Sequence, residues 1–362
     1  MFRLIRMVLL FAAVLLLCSC VSSQPIAKKR MFWPSPPEPP RYEWVGFYSN
    51  SADMHEGEVK SWYGSIVGEE VSHTLQRPMS VASDGRGNVY VTDSEGGNAY
   101  RFDFNNKRVD KFGGKAYGDS IGQVNGVAVD AAGNAYVSDS RKRKIFVVTP
   151  QNEPLKVIDV SASTEFIGKF AIDNTNGHIV LTDLKKHQIV ITDMDGKQIR
   201  SFGKRGDGAG EFNLPVAVAI EKDGGIVVAD SLNARIQRFT SKGDFVSKFG
   251  RRGDSPGDLS LIKGVAVDSE GHIYVTDGKD HRVTVFSTKG ELLIVLGGIF
   301  AQTLGSRLAA GGFLVPQGIF IDQNDRVYVA DQLNKRIQVF QYLSDGYLAK
   351  YPLTQIGNTG AK

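Results

Sequence analysis

The chain alternates short apolar runs with turns rich in Gly, Asn and Asp, a pattern of many short strands. One unit recurs six times: a turn, then a strand ending in Asp, as in Asp84-GRGNVYVT-Asp93 and Asp268-SEGHIYVT-Asp277. The terminal carboxylates Asp93, Asp139, Asp183, Asp230, Asp277 and Asp331 are 46, 44, 47, 47 and 54 residues apart. An apolar run such as Gly126-Val127-Ala128-Val129 precedes each unit, and an amphipathic run such as Arg235-Ile236-Gln237-Arg238-Phe239 follows it. A fourth run ends near Gly, as in Lys248-Phe249-Gly250. Four strands per repeat at this period predict an all-β chain, a six-bladed β-propeller of four-stranded antiparallel blades. The inner runs are apolar at successive positions because each blade packs a neighbour on both faces. Two segments compete for the outer place in the last blade, Tyr42–Tyr48 and Tyr347–Tyr351, and strand pattern alone does not choose between them.

The N-terminus carries an address. Arg3 and Arg6 precede the apolar run Met7–Leu17, eleven residues where a membrane-spanning helix needs about 20. This is a signal-peptide pattern. It ends in Leu17-Cys18-Ser19-Cys20, which resembles the bacterial lipobox, with Cys20 as the acylated first residue of the mature chain. By the same resemblance, Val21 implies sorting to the outer membrane, facing the periplasm or the surface. Five Pro between residues 34 and 40 predict a stiff extended spacer. The expected organisation is a signal peptide over 1–19, an acylated Cys and spacer over 20–40, the propeller over 41–352, and a tail over 353–362.

The repeats resemble the NHL family of six-bladed propellers. The resemblance rests on the connector Phe202, Gly203, Gly206, Gly210, Phe212 and Pro215, and on the string Asp230, Asn233, Arg235, Ile236, Gln237 and Phe239. It covers about residues 75–342 and is fullest in blades 4 and 6. Signal, Pro-rich run and repeats together resemble bacterial NHL-repeat lipoproteins.

The propeller axis is where candidate chemistry is expected first. Aligning the inner runs gives one column of Met79, Asn125, Gly168, Val216, Lys263 and Gln317, and a second of Ser80, Gly126, Lys169, Ala217, Gly264 and Gly318. Neither column holds His, Asp or Glu, the hard or borderline donors that calcium and zinc sites need, so no cofactor or metal is expected. Asn125, Lys169, Lys263 and Gln317 are the candidates for a polar or anionic ligand at the channel mouth, the competing reading being a water-filled channel, and the small residues of the second column suit crowding near the axis. The six terminal Asp residues read as structural, each accepting turn N–H bonds and facing the cation or amide five positions on: Asn98, Lys144, Gln188, Arg235, Arg282 and Arg336. Arg141, Lys142, Arg143, Lys185, Lys186, Arg282 and Lys335 follow the second strands and would form a basic rim. His178, His272, His187 and His281 sit at repeat-equivalent positions and read as surface residues. An inserted stretch over 299–311 lengthens the last connector and is a candidate partner contact.

Lys and Arg number 43 against 39 Asp and Glu, a net charge of +4, too small an excess to suggest a nucleic-acid partner. Both Cys lie in the first twenty residues, which leaves the body without a cysteine nucleophile. These readings favour a monomeric, non-catalytic binding or scaffolding module, attached to the membrane through lipid on Cys20 and holding an envelope protein or polysaccharide. The alternative is a metal-dependent hydrolase or lyase. Gluconolactonase-, paraoxonase- and peptidyl-amidoglycolate-lyase-type enzymes share the architecture, but no matching acidic or His set stands in the two columns.

Overall fold

The computed structural model describes residues 30–35, 37–55, 73–118, 120–298 and 310–353. The expected signal peptide and Cys20, and nearly all of the 299–311 insertion, lie outside the described residues.

Six antiparallel sheets surround the axis; in blades 1 to 5 the inner strand comes first in the chain, and in blade 6 it precedes the next two strands while the outer ones come from the N-terminal segment. The inner strands are Pro78–Ser83, Val124–Val129, Ile167–Asp173, Pro215–Ile220, Ile262–Val267 and Pro316–Ile321. Blades 1 to 5 have four strands each, and blade 6 has five. Second strands such as Ile226–Asp230 and Ile273–Asp277 are buried at every position, because apolar sheet faces lie against neighbours on both sides. The turns between first and second strands use Gly at left-handed geometry, with φ +91° at Gly133 and +83° at Gly271, where other residues are strained.

What closes the ring is visible in the packing. The buried apolar residues divide into six clusters, one at each blade-to-blade contact. The contact between blades 6 and 1 is built like the rest, with Tyr328, Ala330 and Ile337 against Val81, Val91 and Phe102.

The outer place in blade 6 belongs to Tyr42–Tyr48, which pairs with Arg336–Tyr342. The C-terminal competitor is instead in a short helix, Asp345–Lys350, capped by the Ser344 side chain, which accepts from the Tyr347 N–H. An Asp-Gly start after a Ser cap favours the helical turn, while Tyr42 and Trp44 supply two buried aromatic rings to the contact with blade 5. Met31–Trp33 then adds a fifth strand on Tyr42–Trp44. The proline-rich run is therefore the link between two paired strands and not a spacer ahead of the body; prolines, lacking N–H donors, suit such a link at a sheet edge.

Candidate functional site

All six inner strands carry a bulge at the same place. Pro78 pairs with Asp93, and Ser80 with Thr92; Ile262 pairs with Asp277, and Gly264 with Thr276. The two axial columns read from the sequence are thus real layers, the bulged residue first and the small residue next. Crowding explains the small residues. A Cβ on Gly318 would stand 2.7 Å from Ser80 Cα and 2.8 Å from Met79 O, and one on Gly264 would stand 2.7 Å from Gln317 O. Gly318→Ala is expected to cost about 1–3 kcal/mol, since backbone atoms cannot step aside. Urea denaturation would measure it, and a variant as stable as the parent would show that blades 6 and 1 meet less closely.

Lys169 is the exception in that layer. Its side chain is buried and reaches from blade 3 to blade 5, where Nζ donates to Lys263 O at 2.6 Å. Among the described residues no carboxylate pairs with it. Burial, with help from the Lys263 charge, pushes its pKa down to about 7. Burial also lowers the Lys263 pKa, against the pull of Asp277. The remaining candidates bond within a blade or between neighbouring blades: Gln317 Nε2 donates to Gln332 Oε1 at 3.2 Å, Gln332 Nε2 to Met79 Sδ at 2.9 Å, and Asn125 Nδ2 to Ile167 O at 3.3 Å.

Above Lys169 the axis is a cavity of about 520 Å³, walled by Val127, Phe170, Val218, Val265 and Ile319 among others. Its far mouth is polar. Asp84, Arg86, Asp130, Asn174, Asp322 and Gln323 line it. Its signal in the sequence is the acidic residue that heads every repeat. These carboxylates serve their own turns: Asp84 accepts from Arg86 N and Asn88 N, Asp130 from Asn134 and the Tyr136 hydroxyl, and Asp322 from Asn324 N and the Tyr328 hydroxyl. Neighbouring turns are tied across the mouth, with Arg86 donating to Ala131 O and Ala132 O and Gln323 to Asp84 O. Among the described residues, no group of three His, Cys, Asp or Glu is placed to hold a metal ion.

Asp93, Asp139, Asp183, Asp230, Asp277 and Asp331 are all buried and accept turn N–H bonds, as Asp183 does from Glu165 and Lys185. The expected partner five positions on is present for Asp230 and Asp331, which bind Arg235 Nε at 2.7 Å and Arg336 Nε at 2.8 Å. Three others depart from that expectation: Asn98 donates to Glu95 O, Lys144 pairs with Asp159, and Arg282 donates to Asp258 O and pairs with Asp280, Asp277 being already occupied by four backbone N–H groups, those of Ser260, Leu261, Lys279 and Asp280.

The basic residues do share one face, the Lys169 end, but many are engaged within the protein. Lys142 donates to Ser120 O, Arg143 to Ser161 O, and Lys335 to Gln76, while Lys185 pairs with Glu165. Arg141 and Lys186 are exposed. The four histidines are half-buried, each partly exposed at the surface. His187 and His281 each accept a backbone N–H from the next connector, from Leu214 at 3.0 Å and Val315 at 2.9 Å. His272 stands 2.9 Å from Asp268, whose carboxylate raises its pKa.

With this geometry in hand, the family model for the NHL repeat matches residues 212–239 and 259–286, the first three strands of blades 4 and 5. The chain is a six-bladed propeller that carries NHL repeats. The match at blade 5 differs from the sequence reading, which found the fullest resemblance in blades 4 and 6. Solved structures similar to it include an auxiliary nutrient binding protein from Bacteroides thetaiotaomicron, at 13% identity and TM-score 0.56, covering 75% of this chain and 70% of that one. A gluconolactonase from Xanthomonas campestris shows 17% identity and TM-score 0.54, covering 74% and 86%. The virginiamycin B lyase of Staphylococcus aureus shows 14% identity and TM-score 0.53, covering 74% and 95%. At such identities the likeness is one of fold.

Proposed function

We propose that this protein is an exported, lipid-anchored binding module that takes a small organic ligand into the axial cavity of its propeller. The observation that carries this reading is the shape and chemistry of that cavity: apolar walls, a polar mouth, and at its other end one buried amine bonded across the axis. A concave, largely apolar pocket with a few convergent polar groups is the usual form of a small-molecule site. A nutrient-binding protein among the similar folds is in keeping with it, while the gluconolactonase and the lyase keep the enzymatic alternative in view. The donors grouped on the axis, amide and ammonium, favour holding a ligand over metal-assisted hydrolysis. Acylation at Cys20 would keep the module at the outer membrane, where an envelope protein or polysaccharide would meet its basic face.

Val129 and Val267 line the cavity on opposite sides and are half-buried. Replacing both by Trp is expected to abolish one-to-one binding of 1-anilinonaphthalene-8-sulfonate while the melting temperature is kept. Undiminished dye binding by the double variant would reject the cavity as the site. For the anchor, Cys20→Ser is expected to abolish metabolic labelling by palmitate, and persistent labelling would reject acylation there.

A further inference from the structure

We propose that the axial pocket recognises a monocarboxylate with an apolar tail, held head-down with its carboxylate on Lys169 Nζ. This rests on the binding reading above and assigns the ligand's chemical class. Five blades hold Ser, Gly or Ala in the layer of Lys169, so only one long side chain enters a space that the other five leave clear. The site is therefore built by a single blade within an otherwise repetitive ring.

Among the described residues, no carboxylate gives the amine a counter-charge at the axis. A lysine ammonium has three N–H donors, and one is committed to Lys263 O. Two remain, matching the two oxygens of a carboxylate. Asp277 already offsets the charge of the neighbouring Lys263, so a single negative charge balances the Lys169 ammonium, whereas a dianion would leave excess charge in a low-dielectric site. The walls above are hydrocarbon, from Phe170, Val218, Val265 and Ile319. Each inner strand runs six or seven residues, roughly 20 Å of channel at about 3.3 Å per residue. A tail of medium length fits along it, and the bond from Lys169 to Lys263 O crosses the axis at its lower end.

Binding must also move a proton. The empty site holds Lys169 largely neutral above pH 7, with Lys263 the charged neighbour facing it and Asp277 the carboxylate acting on Lys263. A bound carboxylate favours the ammonium, so the complex takes up a proton at pH 8.

The test is isothermal titration of the purified full chain with octanoate and, separately, 1-octanol, at pH 8 in buffers of different ionisation enthalpy. Octanoate is expected to bind one-to-one, at least tenfold tighter than octanol, with proton uptake. Lys169→Met is expected to weaken octanoate at least tenfold and to leave octanol unchanged. Equal affinities for the two probes without proton uptake would overturn the carboxylate assignment and leave the cavity as an apolar binder, so that the binding reading survives. Failure of both probes to bind would overturn the assignment, and dye binding unaffected by the paired Trp substitutions would then remove the binding reading as well.

Discussion

A chain beginning at Ser49 is expected not to fold cooperatively. It lacks Tyr42–Tyr48, so Arg336–Tyr342, buried at all seven positions, becomes an open sheet edge. Tyr42 and Trp44 also leave the cluster between blades 5 and 6, which holds Tyr274, Phe313 and Phe340. Losing one large buried aromatic costs about 3–5 kcal/mol, and two of them, with the backbone ladder, match the whole stability of a typical domain, about 5–15 kcal/mol. A propeller has no slack elsewhere, because each blade is covered only by its neighbours. Circular dichroism melts and sedimentation should show no two-state transition and an aggregating product. A soluble monomer melting like the full chain would mean that the N-terminal strand does not close the ring.

Lys169→Met is expected to stabilise the folded protein. The folded pKa of about 7 lies below the ordinary 10.5, and each unit of such a shift is worth about 1.4 kcal/mol. Between those two values the unfolded chain holds a proton that the folded protein has released. The stability of the parent therefore climbs as pH rises from about 7 to 10.5 and is flat below 7 with respect to this group. Methionine keeps the length without the charge and gives up a hydrogen bond worth about 1 kcal/mol. The net gain at pH 7 is expected to be about 2–4 kcal/mol, fading towards pH 10. Urea unfolding at both pH values measures it. A variant less stable than the parent at pH 7 would show that the amine is compensated in the fold. A residue kept at a cost to stability is what a ligand-holding group looks like.

Much of this was legible in the sequence because repetition multiplies weak signals. Six copies of the Asp-ending strand fixed the blade count, and the aligned inner runs placed Asn125, Lys169, Lys263 and Gln317 in the layers where they are found, since every inner strand bulges at the same residue. The depth of Lys169 was not legible: its partner Lys263 is 94 residues away and comes near only when the ring closes. Closure by Tyr42–Tyr48 was one of two options, because alternation is shared by both segments and the decision lies in the packing of Tyr42 and Trp44. The fate of Arg282 turned on competition for Asp277 by backbone donors, which spacing does not reveal. Asp84, Asp130 and Asp322 were visible as repeat residues, but their position at the far mouth follows from the direction of the inner strands.

A crystal structure of the protein grown with octanoate tests the binding account most directly. The expected result is a six-bladed ring with the carboxylate within hydrogen-bond distance of Lys169 Nζ and the tail running along Phe170 and Val265 towards Asp84 and Asp322. A ring whose axis is filled by side chains, or octanoate bound only on the outer surface, would contradict it.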